Sequence, residues 1–123
     1  MTAPVATAKI LLVEDEALLK LPIEDALAAR GYVCLSTGTL DGALEILRTE
    51  RVAAAILDVN IQGAAVFSVA REVRAQGASC VFTTGYTDAA IPPEFAGAPY
   101  FKKPYDIDRV IDAVVVCVTK TSR

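Results

Sequence analysis

The sequence contains no histidine, and that absence removes most zinc geometries. Cysteine is scarce: Cys34, Cys80 and Cys117 form an odd, scattered set with no Cys-x-x-Cys pair. Each lies in an apolar stretch, which predicts buried free thiols in a reducing compartment. Positive charge is nowhere concentrated. Twelve Lys and Arg stand against fifteen Asp and Glu, a net charge of −3, and the basic residues form no cluster. A nucleic-acid surface needs a Lys/Arg footprint, so none is expected. No apolar run is long enough to cross a bilayer. Met1 to Ala8 lack the basic start and apolar stretch of a signal peptide. The expectation is a soluble, cytoplasmic protein without membrane or nucleic-acid partners.

What is present suits one compact unit. The chain has 123 residues, 54% hydrophobic and 22% charged, enough apolar material for one core and too little charge for disorder. The division read from the sequence is one domain over residues 9–119, a disordered N-terminal tail at 1–8 and a C-terminal tail at 120–123.

Apolar runs alternate with amphipathic stretches, the pattern of a βα repeat. Ile10 to Val13 is wholly apolar, as a strand covered on both faces should be. Glu16 to Arg30 predicts a helix, ended by Gly31 and kinked at Pro22, which removes one backbone bond. Tyr32 to Leu35 predicts the second strand, and Thr39 the N-cap of a helix through Thr49. Val52 to Leu57 predicts a third strand ending at Asp58. Gly63 predicts a turn before a helix to about Gln76, closed by Gly77, and Cys80 to Thr84 a fourth strand.

The rhythm then breaks. Pro92, Pro93, Gly97 and Pro99 crowd the stretch between Gly85 and Tyr100. Adjacent prolines cannot sit in a helix interior, so the fourth helix is expected to be absent or reduced to one turn. Tyr100 and Phe101 predict a short fifth strand. Asp106 caps a last helix through about Thr119, with Val110, Val114 and Cys117 on one stripe. That helix carries apolar residues around most of its circumference. It is either covered by the rest of the chain or exposes a patch for a homodimer or partner. The fold class that follows is α/β: a doubly wound, flavodoxin-like, parallel five-stranded sheet in the order 2-1-3-4-5. In that order the first and third strands are neighbours, and their carboxyl ends flank the switch point where ligands bind.

The chemically informative residues sit at those ends. Glu14 and Asp15 follow the first strand, Asp58 ends the third, Thr84 the fourth, and Lys103 follows the fifth. Carboxylates held close together raise one another's pKa and call for a cation. An all-oxygen set with waters suits Mg²⁺ better than zinc. Expected ligands are the side chains of Asp15 and Asp58, Glu14 directly or through water, and the backbone carbonyl of Asn60. Asp58 would attack phosphorus in line, with catalysis by positioning and charge neutralisation. Lys103 is a point charge suited to one phosphoryl oxygen, and the Thr84 hydroxyl to another. Gly85 removes bulk beside it.

Val13-Glu14-Asp15-Glu16, Leu57-Asp58-Val59-Asn60, Thr84-Gly85 and Lys103-Pro104 stand in order along nearly the whole chain. This combination resembles the response-regulator receiver family of two-component systems. The resemblance implies that Asp58 is the phosphoacceptor and that Glu14 and Asp15 form the metal-binding acidic pair. It implies Thr84 as switch hydroxyl, Lys103 as phosphate-binding lysine, and Tyr100 as the aromatic reporter of activation. Phe82-Thr83-Thr84-Gly85-Tyr86 further resembles a subgroup of single-domain receivers with a Phe-x-Thr-Gly-Tyr signature and a degenerate fourth helix. A receiver implies a sensor histidine kinase or a histidine phosphotransfer protein as phosphodonor. The chain would then signal by partner binding or act as a phosphate sink. Gln62 departs from the proline that receivers commonly carry there, which bears on the loop Val59 to Gly63.

Each piece has a plainer reading. Glu14 to Glu16 suit a helix N-terminus, Asp58 an Asx-turn, Thr84-Gly85 a strand exit, and Tyr100 a core position. Two other functions use the same residues. One is a small Mg²⁺-dependent phosphatase with an Asp nucleophile; such enzymes, however, resemble a family with Asp-x-Asp on the first strand and a larger chain. The other is a pseudo-receiver that binds a partner and never takes phosphate.

Overall fold

A computed structural model describes residues 7–85 and 91–121. Five parallel strands form the sheet: β1 (Lys9–Val13), β2 (Val33–Thr37), β3 (Ala54–Asp58), β4 (Ser79–Thr84) and β5 (Tyr100–Lys102). Their spatial order is β2-β1-β3-β4-β5, the order expected. Helices α1 (Ala17–Ala29), α2 (Leu40–Thr49), α3 (Phe67–Ala75) and α4 (Ile107–Thr121) cover its faces.

Alternation along the strands divides the core in two. Leu11, Val13, Ala55, Leu57, Cys80 and Phe82 point to the side packed by Ala43 of α2 and by Val69, Ala70 and Val73 of α3. Ile10, Leu12, Ala54, Ile56 and Val81 point to the other, under Ile23 and Leu27 of α1 and Val110, Ile111 and Val114 of α4. Because both faces are covered, the central strands read as nearly unbroken apolar runs.

Local chemistry sets the ends of the elements. The Thr39 hydroxyl accepts from Gly42 N–H at 2.9 Å and starts α2. The Asp106 carboxylate accepts from Asp108 N–H at 2.9 Å and starts α4. Gly31 and Gly77 follow α1 and α3 with φ of 83° each, a left-handed exit that other residues enter at a cost. Helix α1 runs through Pro22 without a break. The carbonyl that proline leaves without a donor belongs to Leu18, which is 85% exposed and open to water.

Two strands and one connection differ from expectation. β2 continues to Thr37 because Ser36 and Thr37 pair with Leu12 and Val13; their polar side chains hid this. β3 begins at Ala54, not Val52, because Val52 N–H donates to the Gln76 side chain at 3.0 Å. Between β3 and α3 lies an unexpected two-stranded hairpin, Asn60–Ile61 against Ala64–Ala65. Its two turn residues, Gln62 (φ 51°) and Gly63 (φ 85°), both have positive φ, the backbone of a tight two-residue hairpin.

Between β4 and β5 the described residues hold one 3₁₀ turn, Pro93–Phe95, where a full helix would otherwise stand. Residues 86–90, Tyr86 of the signature among them, lie outside the described residues. The turn is tied to α3. Phe95 joins Phe67 and Phe82 in a ring cluster with centroids 5.4–5.7 Å apart. Arg74 lies 4.2 Å over the Phe95 ring, and Arg71 meets Glu94 at 2.6 Å.

The valine-rich face of α4 is mostly covered. Val110, Val114 and Cys117 are buried, and Val116, at 54% exposure, is the helix's one large apolar residue in the open among those described. All three cysteines are free; Cys80 and Cys117 are buried, while Cys34 is only half-buried. Burial pushes the Cys80 thiol up to about 12 and Cys34 to about 11. Among the described residues, no helix is long and apolar enough to cross a membrane.

Candidate functional site

The carboxyl ends of β1 and β3 lie side by side, since Val13 pairs with Leu57. Glu14 and Asp15 leave β1 there, Asp58 ends β3, and Lys103 arrives one residue after β5. The Lys103 ammonium reaches Asp58 Oδ2 at 2.7 Å, Glu14 Oε1 at 3.0 Å and Glu16 Oε1 at 3.7 Å. One cation thus holds carboxylates from the tips of two neighbouring strands. Glu14 and Asp58 are 1% and 5% exposed. Glu14 is thus no solvated helix-start residue, while Asp58 forms the Asx-turn bond to Asn60 N–H and the lysine contact together.

Backbone amides fix the carboxylates. Asp58 Oδ1 accepts from Asn60 N–H at 3.1 Å, and Glu14 Oε2 from Glu16 N–H at 3.1 Å. Asp15 Oδ2 accepts from Gln62 N–H at 2.8 Å. That bond anchors Asp15 to the hairpin, which is therefore part of the site's frame. Carboxylate oxygens of Glu14, Asp15 and Glu16 lie within 4.8 Å of one another.

Burial pushes Glu14 up to about 7, against the opposing hydrogen bonds from Lys103 and the Glu16 amide. Burial alone would lower Lys103, but hydrogen bonds to Asp58 and Glu14 outweigh it and hold the ammonium's pKa raised. Three carboxyl groups, Glu14, Glu16 and Asp58, therefore share one cation, with Asp15 beside them. An open cleft of about 480 Å³ lies above them, lined by Asp15, Glu16, Asp58, Asn60, Gly63, Gly85 and Lys103. Its donors are all oxygen apart from Lys103. That set fits a hard divalent cation such as Mg²⁺ and does not fit a thiolate- or imidazole-binding metal.

Not every residue singled out from the sequence reaches this cleft. Thr84 is fully buried beneath it; its carbonyl accepts from Lys103 N–H at 2.7 Å, so it fixes where the lysine starts. A Cβ added at Gly85 would meet only Lys103 Cδ, at an ordinary 3.9 Å, so glycine is not demanded there by crowding. Tyr100 lies on edge strand β5, 36% exposed and apart from the cleft lining. Three participants carried weaker sequence signals. Glu16 was one acid in a run of three, and Gln62 acts only through its backbone. Tyr105 is the third: burial and the Glu14 charge raise its hydroxyl pKa.

No family model matches the chain. It is similar to sporulation initiation phosphotransferase F of Bacillus subtilis, 25% identical over 111 residues, covering 86% of this chain and 90% of that protein. SdrG of Sphingomonas melonis Fr1 is 32% identical, with a TM-score of 0.76 over 91% of this chain and 99% of that one. A CheY-like response regulator receiver domain protein from Methanospirillum hungatei superposes with a TM-score of 0.82 at 18% identity, over 95% and 98% of the two chains.

Proposed function

We propose, for a chain that belongs to the CheY-like response-regulator receiver domains, that it accepts a phosphoryl group on Asp58 with Mg²⁺ as cofactor. The observation that carries this reading is the convergence of Asp58 and Glu14 on one lysine ammonium, within 3.0 Å of both. Asp15, Asp58 and the Asn60 carbonyl would hold the ion, with Glu14 beside them. When bound, the ion would neutralise charge on the phosphoryl oxygens.

The chain's own residues do the rest. An Asp58 oxygen attacks phosphorus in line; the bond to the leaving imidazole nitrogen of a phosphohistidine, or to the acetate oxygen of acetyl phosphate, breaks as an acyl phosphate forms. The Asn60 amide fixes the carboxylate for that attack. Lys103 already touches Asp58 Oδ2 and moves its contact to a phosphoryl oxygen, where an ammonium acts as a compact charge. Thr84 follows as switch residue and Tyr100 as its reporter. In this chemistry the acceptor of the donor's phosphoryl group is the chain's own Asp58, so the chain catalyses only its own phosphorylation and dephosphorylation.

The donor is a sensor histidine kinase or a histidine phosphotransfer protein. On α1, Leu18 and Leu21 are 85% and 59% exposed. They stand one turn apart just after the acidic run, and offer such a partner an apolar foothold beside Asp58. We assign residues 9–119 to the receiver unit, with membership in the Phe-x-Thr-Gly-Tyr subgroup, a cytoplasmic location, and signalling by partner binding or phosphate drain. A homodimer through α4 has Val116 as its one exposed large apolar anchor on that helix among the described residues.

Intact mass after treatment with acetyl phosphate and Mg²⁺ tests the reading. Wild type should gain one phosphoryl group and Asp58→Asn none. An unchanged wild-type mass across several donors would make the chain a non-phosphorylated binding module. Steady turnover of a phosphomonoester would make it a phosphatase.

A further inference from the structure

At the opposite end of the sheet from the acidic cleft lies a second cavity, of about 360 Å³. Its origin is the shortened connection. β5 pairs only with Phe82–Thr84 of β4, and one 3₁₀ turn stands where a helix would otherwise pack. The lower edge of β4, at Ser79 and Cys80, therefore faces a space bounded by Gly97–Pro99, the end of α3 and the outer turns of α4. The floor is built mainly of small apolar side chains, with Ser79 among them: Cys80 and Cys117 are 2% and 4% exposed, with Ala113 and Val116 beside them.

Charge at the rim has one sign. Arg74 from α3 and Lys120 from α4 both line the cavity, and no described carboxylate does, in a chain whose net charge is −3. Arg74 is fixed in place. It stacks on Phe95 and donates one N–H to the Glu94 carbonyl, leaving other guanidinium donors for a ligand. An apolar floor with two cations at its mouth recognises an apolar body carrying one anionic head.

We propose that this cavity is a binding site for a small amphipathic organic anion, its carboxylate or phosphate head between Arg74 and Lys120 and its tail against Cys80, Ala113 and Cys117. The volume matches a ligand of roughly a dozen non-hydrogen atoms, since a 150 Å³ cavity holds benzene. The proposal does not depend on phosphorylation of Asp58.

Decanoate, decyl phosphate and decanol serve as probes in calorimetric titration and amide-shift mapping of the full chain. Decanoate should bind saturably, one per chain, with shifts centred on Ser79–Cys80, Gly97–Ala98 and Val116–Lys120. Lys120→Glu should weaken decanoate about tenfold, the loss of one charge-assisted contact, and leave decanol unchanged. Ala113→Leu, which fills the floor, should weaken both. If decyl phosphate alone obeys this pattern, the head is phosphate; if decanoate alone does, it is carboxylate. Absence of saturable binding, shifts centred elsewhere, or indifference to both substitutions overturns the proposal.

Discussion

Removing the Glu14 carboxylate should change how stability responds to pH, and the structure fixes the sign. Glu14 is held at about 7 in the folded protein, against 4.5 for an ordinary glutamate. Between those values the folded chain keeps a proton that the unfolded chain has released, so stability falls as pH rises. The favourable contribution is complete below about 4.5 and is lost as pH climbs through about 7. A shift of this size amounts to about 3 kcal/mol in full, of which about 2–3 kcal/mol falls between pH 5 and pH 8. Urea denaturation followed by circular dichroism, in EDTA, measures it. Wild type should lose about 2–3 kcal/mol more than Glu14→Gln across that interval, because glutamine carries no proton to lose. Excess Mg²⁺ should narrow the difference at pH 8, since metal binding favours the ionised carboxylate. Parallel pH profiles for the two proteins in EDTA would refute the assignment of a buried, proton-holding Glu14.

The remaining expectations concern packing. Gly42→Ala should destabilise although alanine favours helix: its Cβ would lie 2.2 Å from Thr37 Oγ1 and 2.8 Å from Thr39 Oγ1, so thermal melting should show a net loss of about 1–3 kcal/mol. Gln76→Ala should cost about 1–3 kcal/mol, because that side chain bonds Val52 N–H and the carbonyls of Leu47 and Glu50; an unchanged melting temperature counts against it. Phe95→Ala should cost about 3–5 kcal/mol and speed proteolysis around residues 91–99, since Phe95 anchors the 3₁₀ turn. Leu18→Asp should slow phosphotransfer from a phosphohistidine protein and leave acetyl phosphate labelling unchanged; equal slowing of both donors would remove α1 as the docking face.

Much of the fold was legible because two-sided burial leaves a plain mark. Ile10–Val13 and Ala54–Leu57 are apolar without interruption, and the prolines at 92 and 93 deny a helix on chemistry alone. The misplaced boundaries share one cause: a tertiary bond captured a backbone group. Val52 looked like strand because valine favours strands, yet its N–H is held by Gln76, twenty-four residues away. Ser36 and Thr37 looked like loop, yet the β1 edge pairs with them. The hairpin after Asp58 was hidden because a left-handed Gln62 is unfavourable in isolation and pays only through its amide bond to Asp15. At the site, sequence order identified which acids converge. It could not show that Glu16 joins Glu14 at the lysine, or that Thr84 lies under the cleft rather than in its wall, because both depend on side-chain direction.

Those directions give the site its electrical character. Lys103 is held charged by its two carboxylate partners, so it does not respond to pH near neutrality. Glu14, buried and held at about 7, does. Near neutral pH the cluster therefore changes charge by a proton on Glu14, a residue too deep to line the cleft itself. A cation beside Asp15 and Asp58 would share Asp58 with the lysine, and its charge would favour the ionised form of nearby Glu14. On the proposed reading, a phosphoryl group on Asp58 would offer the lysine, which already touches Asp58 and Glu14, a further anion to contact. On that reading metal uptake, proton release and lysine transfer would be coupled through the charges of Glu14, Asp58 and Lys103. Phosphorylation by a small donor should accordingly rise with pH across neutrality at limiting Mg²⁺, and lose that dependence in Glu14→Gln.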